Sequence, residues 1–509
     1  MNIKRAKQEI KNAVAAYLEK DENGDYRIPP VRQRPILLMG APGIGKTQIM
    51  EQVAGECDLA LVSYTITHHT RQSAIGLPFI RERVYGGENR SITEYTMSEI
   101  IAAVYDRMEE SGKKEGILFI DEINCASETL APTMLQFLQG KSFGNQKVPE
   151  GWIIVAAGNP PEYNKSVREF DVVTLDRVKV IPVEPDYETW KEYAYENGLH
   201  GAILAYLDIH KENFYRMETS VDGKQFVTPR GWHDLSEMLF ACERLNMPSD
   251  RELIGQYLQH PRAAKDFANY LELYRKYRSD YQIDEILSGT IRPGTKNKLK
   301  FAPFDERLEV VSLLLTRLAE NFRLVYRLEA NTDRLYEVLK MAKARGALFD
   351  TPDWKQILGD ILEEKQQELT LKIASGQNER QLKAEYKPVL QELESYLQQL
   401  ARAAVDEPER DGFDLIRESF GAYNEKREAT VEMASRQLEY AFDFMEEIFG
   451  ESQEMIVFIT ELAASPQSAE FLRTNPCDRY FMYNKSLLFE DREAAVREQL
   501  DEIRNLQIT

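Results

Sequence analysis

The sequence predicts an α/β fold, with a parallel sheet covered by helices on both faces, followed by regions that are mostly α-helical. Three observations predict it. Short, continuously apolar runs alternate with helical patterns in the first part of the chain, which is typical of parallel strands buried on both faces. After Pro185 the pattern changes to helices alone. The 509 residues are also too many for one ordinary domain.

Five strands are predicted before the change of pattern. Each is a short apolar run bounded by turn residues, and together they cover residues 35–40, 59–64, 116–120, 152–157 and 178–182. One helix is expected before them, at residues 2–19, and others between them, at residues 46–54, 97–110 and 128–139. These elements form the predicted α/β core, residues 1–184.

Two helical regions are expected after the core. Residues 185–286 should form a small all-α lid, and residues 305–509 a large, mostly helical C-terminal region. The basic stretch 287–305 is expected to be a loop between them. Within the C-terminal region, residues 354–404 predict a long helical hairpin with its tip at residues 375–378, and we favour packing within one chain over an oligomeric coiled coil.

Composition argues against several classes of partner and location. Residues 351–509 hold 18 basic and 33 acidic side chains, so they carry most of the net charge of −20 and are unsuited to nucleic acid. No apolar run approaches the roughly 20 residues that span a bilayer, and the start lacks a secretory signal. We therefore expect no membrane span and a cytoplasmic location, and we favour protein partners over nucleic acid.

A phosphate-binding loop follows the first strand directly. It matches the pattern G-x-x-x-x-G-K-[ST] and reads Gly40, Ala41, Pro42, Gly43, Ile44, Gly45, Lys46 and Thr47. Backbone N–H groups of such a loop turn toward phosphates, and the next helix points its positive end at them. Lys46 is expected to reach the β- and γ-phosphates, and the hydroxyl of Thr47 to bind Mg²⁺. The α/β core is therefore predicted to be a P-loop NTPase.

Polar residues at the ends of later strands complete the predicted site. Asp121 and Glu122 end the third strand, where a carboxylate can hold Mg²⁺ and a second can activate water. Asn159 follows the fourth strand and can orient that water. Arg177 and Arg230 follow in the segments Leu-Asp-Arg and Thr-Pro-Arg, and either can compensate charge in the transition state, although taken singly a surface salt bridge explains each better.

In this order the motifs resemble those of the AAA+ ATPases, and more narrowly the MoxR and dynein-related branch. The segments Thr70–Gly76 and Glu162–Phe170 are similar to that branch, and the resemblance covers about residues 1–245. Val178 stands where the branch usually has Phe. The resemblance implies Walker A roles for Lys46 and Thr47 and Walker B roles for Asp121 and Glu122.

The same resemblance assigns the remaining residues. It implies that Asn159 is sensor 1, that Arg177 reaches into a neighbouring subunit's site, and that Arg230 is sensor 2. It further implies ATP and Mg²⁺ as ligands, a hexameric ring, and a separate von Willebrand A-domain protein as a partner.

Three functions remain open at this point. The first is an ATP-driven, chaperone-like remodeller of a partner protein or complex. The second is an assembly switch in which ATP closes a ring and turnover is slow. The third, a DNA-acting motor, is supported only by the basic run Arg292–Lys300.

Overall fold

The computed structural model describes residues 1–68, 70–143, 146–163, 170–220, 223–407 and 410–486. Within them the chain forms two compact units. The first contains the described residues of Met1–Thr189, together with Thr228–Arg230 and Lys355–Gln398. The second contains the described residues of Trp190–Val227, Gly231–Trp354 and the chain from Gln399 onward.

The strands, in chain order, are β1 (Ile36–Gly40), β2 (Ala60–Thr65), β3 (Pro78–Tyr85), β4 (Glu88–Tyr95), β5 (Gly116–Asp121), β6 (Ser142–Phe143), β7 (Gln146–Lys147), β8 (Trp152–Gly158), β9 (Lys179–Val183), β10 (Arg216–Ser220) and β11 (Gly223–Val227).

The helices up to the long hairpin are α1 (Ile3–Leu18), α2 (Lys46–Glu56), α3 (Arg71–Ile75), α4 (Glu99–Ser111), α5 (Ala131–Gly140), α6 (Val172–Leu175), α7 (Tyr187–Asn197), α8 (Gly201–Ile209), α9 (Pro229–Leu245), α10 (Arg251–Tyr257), α11 (Pro261–Tyr281), α12 (Ile283–Ile286), α13 (Pro293–Lys300) and α14 (Phe304–Gly346). The remaining helices are α15 (Trp354–Ala374), α16 (Glu379–Asp406), α17 (Gly412–Ile448), α18 (Gln453–Ala464) and α19 (Pro466–Thr474).

A five-stranded parallel sheet in the order β2-β5-β8-β1-β9 forms the centre of the first unit. Its strands are apolar because helices cover both faces, and every residue of β8 is buried. The register places Thr65 beside Asp121, Ile120 beside Ala156, and Met39 beside Gly158. The carboxyl ends of these strands therefore lie at one edge of the sheet. The polar residues of the predicted site follow these ends, as the P-loop NTPase prediction requires.

Two short elements of the first unit were not predicted. The strands β3 and β4 form an antiparallel hairpin between α3 and α4, and β6 pairs with β7 after α5. Most side chains of β3 and β4 are exposed. Strand prediction from buried apolar runs does not detect such a hairpin.

The second unit is mainly helical. Its central helix is α14, which packs against α11, α17, α18 and α19. Phe322 of α14 stacks on Phe471 of α19 with ring centroids 4.2 Å apart. The large helical C-terminal region is confirmed, and no helix in the described ranges is long and apolar enough to cross a membrane.

Two details differ from the sequence-based expectation. Residues 185–286 were predicted to be all-α, but β10 and β11 form an antiparallel hairpin there, so the region is mainly rather than entirely helical. The stretch 287–305 was predicted to be a loop, but Pro293 supplies a favourable first residue for helix α13. Helices α15 and α16 lie where the helical hairpin was predicted, and the chain between them runs from Ala374 to Glu379. The division into three domains stays a prediction.

Candidate functional site

Lys46 lies at the start of α2 and its ammonium is held inside the loop that precedes the helix. Its Nζ donates to the carbonyl oxygens of Gly40 and Ala41, at 2.8 and 2.7 Å, and to Oδ1 of Asn159 at 2.9 Å. The side chain is buried, and burial lowers its pKa to about 8, although the nearby charge of Asp121 acts in the opposite direction. These partners are neutral oxygens, so the buried ammonium is well suited to receive an anion.

Thr47 and Asp121 meet beside this loop. The hydroxyl of Thr47 donates to Oδ2 of Asp121 at 2.8 Å, and the other carboxylate oxygen accepts from the backbone N–H of Glu122 at 2.9 Å. A hydroxyl and a carboxylate next to a phosphate-binding loop are oxygen ligands of the kind that Mg²⁺ prefers. The pair predicted to hold the metal is thus brought together by the structure.

Glu122 turns away from the end of β5 in a left-handed conformation. Its φ is 55° and its ψ is 35°, values that side-chain-bearing residues seldom adopt. Its backbone C=O accepts from the N–H of Cys125 at 2.8 Å, which closes a short turn. Strained backbone of this kind is concentrated at functional sites, which agrees with the role predicted for this carboxylate.

Arg230 reaches the same loop from the start of α9. Its backbone N–H donates to the carbonyl of Gly43 at 3.2 Å, and its charge contributes to the lowered pKa of Lys46. A Cβ atom added at Gly43 would lie 3.1 Å from the side chain of Thr228. A glycine at this position therefore allows Thr228 and Arg230 to pack closely on the loop.

Arg177 lies on the surface of the first unit, in the turn after α6. Its guanidinium donates to the side chain of Gln139. The preceding residues Val172, Val173 and Leu175 are exposed, and Val172 is 80% exposed. Val178 is buried in the core behind it, so the smaller residue at this position still anchors the turn.

Two residues that contact the candidate site were given no role from the sequence. Thr228 packs against the phosphate-binding loop, and Asn124 bonds the backbone of Asn159. The sequence did contain an indication for Asn124, because it is a polar residue in the otherwise apolar turn just after Glu122. Of the segment Glu162–Phe170, whose sequence resembles the MoxR branch, residues 164–169 lie outside the described residues.

Residues 36–175 match the model of a family described as "ATPase family associated with various cellular activities (AAA)". The match supports an AAA+ ATPase. It supports nucleotide binding and ATP hydrolysis at the level of the family. No curated protein matches the chain significantly.

The residues present fit a magnesium nucleotide. The buried ammonium of Lys46 can bind phosphate oxygens, and the side-chain oxygens of Thr47 and Asp121 can bind the metal. Bound Mg²⁺ would supply positive charge beside the β- and γ-phosphates.

Proposed function

We propose that this protein is a Mg²⁺-dependent ATPase of the MoxR-like type, which forms a ring and remodels a partner protein in the cytoplasm. The observation that carries the proposal is the bonded set around Lys46. This ammonium bonds Asn159 while the adjacent Thr47 bonds Asp121, so four of the predicted residues lie at one edge of the sheet. Acting together, they would bind the triphosphate and its metal.

The chain's own residues divide the chemistry between them. Lys46 would bind and orient the phosphates, and the carboxylate of Glu122 would take a proton from the attacking water. The amide of Asn159 would fix the position of that water. Arg230 lies close enough to the loop to add positive charge from the side of α9.

The surface around Arg177 supports assembly into a ring. Contiguous apolar side chains on a surface commonly mark contacts with another protein. Here the exposed side chains of Val172, Val173 and Leu175 directly precede the exposed Arg177 in the chain. A second copy of the chain covering this surface would bury them and place Arg177 at the neighbour's nucleotide. A hexamer is the ring size that we propose, and a separate von Willebrand A-domain protein is the partner.

The basic run that suggested a DNA-acting motor has carboxylate partners. Arg292 bonds Glu285 at 2.7 Å, Lys298 bonds Asp280 at 3.1 Å, and Lys296 pairs with Glu447. Cations paired in this way release fewer counterions on binding DNA than free ones would. This observation weakens the case for a DNA-acting motor.

Steady-state ATP hydrolysis tests the proposal. Wild-type protein should turn over ATP with Mg²⁺ and stop when the metal is chelated. Glu122→Gln should bind ATP but hydrolyse it about 10²-fold or more slowly, since a general base contributes on that order. Background turnover by the wild type, at every protein concentration and with saturating MgATP, would show that the proposal is wrong.

Light scattering in the same samples separates the remodeller from the assembly switch. A remodeller should grow in mass with ATP and turn over faster as it assembles. A large mass change with negligible turnover would instead favour the switch.

A further inference from the structure

Asn124 holds both backbone polar groups of Asn159. It lies in the turn that follows Glu122, and its side chain is buried. Its Nδ2 donates to the carbonyl oxygen of Asn159 at 2.7 Å, and its Oδ1 accepts from the N–H of Asn159 at 3.3 Å. One amide therefore fixes the main chain of the predicted sensor residue.

The contact requires a side chain that donates and accepts at once. An amide does both, whereas an ionised carboxylate only accepts and a hydrophobic side chain does neither. The amide also approaches the main chain closely, because a Cβ atom added at Gly158 would lie 2.8 Å from Oδ1 of Asn124. Asn124 and Gly158 are thus in close contact, and a larger residue in place of the glycine would disturb the amide.

This contact joins two parts of the site. On one side, the side chain of Asn159 accepts from Lys46 at 2.9 Å. On the other side, Asn124 belongs to the turn that Glu122 begins, and Cys125 closes it by bonding the carbonyl of Glu122. Asn124 therefore links the turn that holds Glu122 to the backbone of Asn159.

We propose that Asn124 is a positioning residue for ATP hydrolysis, an inference that rests on the proposed function and deepens it. It holds the turn of Glu122 at a fixed distance from the backbone of Asn159. The carboxylate of Glu122 and the side-chain amide of Asn159 can then contact the same water molecule. When Lys46 turns from Asn159 to a phosphate, the side chain of Asn159 is released while its backbone stays in place. Such a residue contributes to the rate of hydrolysis and little to the binding of ATP.

The first test removes the contact from each side. Asn124→Ala deletes the amide, and Gly158→Ala pushes against it from β8. Both variants should lose about 10- to 100-fold in kcat, because small misplacements of reacting groups cost on that order. The affinity for a fluorescent ATP analogue should stay within about threefold of the wild type, because the ligands of the phosphates are unchanged.

A matched control separates positioning from stability. Ser98 is a buried polar residue of the same unit, and its hydroxyl donates to the backbone of Ala74. Ser98→Ala loses a buried side-chain-to-backbone bond outside the site. It should lower Tm without lowering kcat, whereas the Asn124 and Gly158 variants should lower kcat even at temperatures where they are fully folded.

A third variant gives a signature that loss of packing does not produce. In Asn124→Asp, the ionised carboxylate faces the carbonyl of Asn159 and repels it. The protonated acid can donate and accept like the amide. The ratio of its kcat to that of the wild type should therefore rise as the pH is lowered from 8 to 6, and the ratio for Asn124→Ala should not.

Two outcomes overturn the inference, and they are distinguishable from failure of the proposed function. If the wild type hydrolyses ATP while Asn124→Ala and Gly158→Ala retain kcat within twofold, the inference is wrong and the proposed function stands. It is also wrong if both variants lose nucleotide affinity as much as kcat. If the wild type itself neither binds nor hydrolyses ATP, the proposed function fails, and the inference with it.

Discussion

We expect the buried ammonium of Lys46 to make the affinity for ATP depend on pH. Burial lowers the pKa of Lys46 to about 8, so above that pH much of the free protein carries a neutral amine. A bound triphosphate raises this pKa, because it favours the charged form. Binding should therefore take up a proton, and affinity for ATP should fall as the pH rises above 8, by up to about tenfold per pH unit. Calorimetry at pH 8.5 in buffers of different ionisation enthalpy measures the uptake.

The matched variant for this prediction is Lys46→Arg. A guanidinium stays protonated throughout this range, so this variant should bind more weakly because of its shape but take up no proton. Equal proton uptake by the wild type and Lys46→Arg would contradict the assignment to Lys46.

A second buried titratable group, the carboxyl of Glu309, lies in the other unit. Burial raises the pKa of Glu309 on α14 to about 7, although Tyr270 of α11 donates to it at 2.7 Å. The folded state therefore holds a proton that the unfolded state releases near pH 4.5. Stability should fall as the pH rises from about 4.5 to 7, by up to about 3 kcal/mol. Glu309→Gln should remove this dependence.

Thermal unfolding at two pH values checks this prediction. The Tm of Glu309→Gln should exceed that of the wild type by more at pH 8.5 than at pH 5.5. A difference between the two proteins that is the same at both pH values would show that Glu309 is ionised in the folded state throughout.

Among the elements, the tip of the helical hairpin packs closely on the edge of the sheet. β2 is the outer strand of the sheet, and on its open edge the backbone N–H of Leu61 donates to the carbonyl oxygen of Ser375 at 2.8 Å. Asn378 also bonds Glu51 of α2 at 2.8 Å. The turn depends on Gly376, which has a φ of +86° and lies so close that an added Cβ would be 2.4 Å from the carbonyl of Leu61.

Gly376→Ala should therefore destabilise the first unit, by about 2–4 kcal/mol from left-handed strain and steric conflict combined. Gly359→Ala is the matched control, since Gly359 lies in α15 with open space around it and should gain about 0.5–1 kcal/mol. Hydrogen exchange should show faster exchange of α15 and α16 in Gly376→Ala alone. Unchanged exchange in both variants would mean that the tip does not hold the hairpin in place.

The sequence predicted the elements whose signals are local. The sheet strands were predicted because they are continuous apolar runs. Lys46, Thr47, Asp121 and Asn159 were selected as candidates because each stands at a strand end or in the loop. The hairpin of β3 and β4 was missed because its residues are exposed and follow no buried pattern. Asn124 was given no role because its partner is the backbone of Asn159, which is distant in the chain, and a polar residue in a turn does not reveal such a contact.

At the scale of the whole molecule, the site is proposed to be complete only in an assembly. Within one chain Arg177 contacts Gln139 on the surface, whereas Lys46, Thr47, Asp121, Asn159 and Arg230 all belong to contacts in or beside the phosphate-binding loop. If Arg177 acts across an interface and Glu122 acts within its own subunit, each active site takes these two residues from different chains. Two inactive variants with defects on opposite sides of the interface can therefore complement each other.

Mixing Arg177→Ala with Glu122→Gln tests this directly. A site with an intact Glu122 from the first variant and an intact Arg177 from the second is complete, and random mixing at equal amounts should create such sites at about a quarter of the interfaces. ATP hydrolysis should therefore recover to about a quarter of wild-type activity, while each variant alone at the same total concentration stays near background. Arg177→Ala should still bind ATP with normal affinity. If no mixing ratio restores hydrolysis, although light scattering shows mixed assemblies, Arg177 acts within its own subunit or plays no part in catalysis.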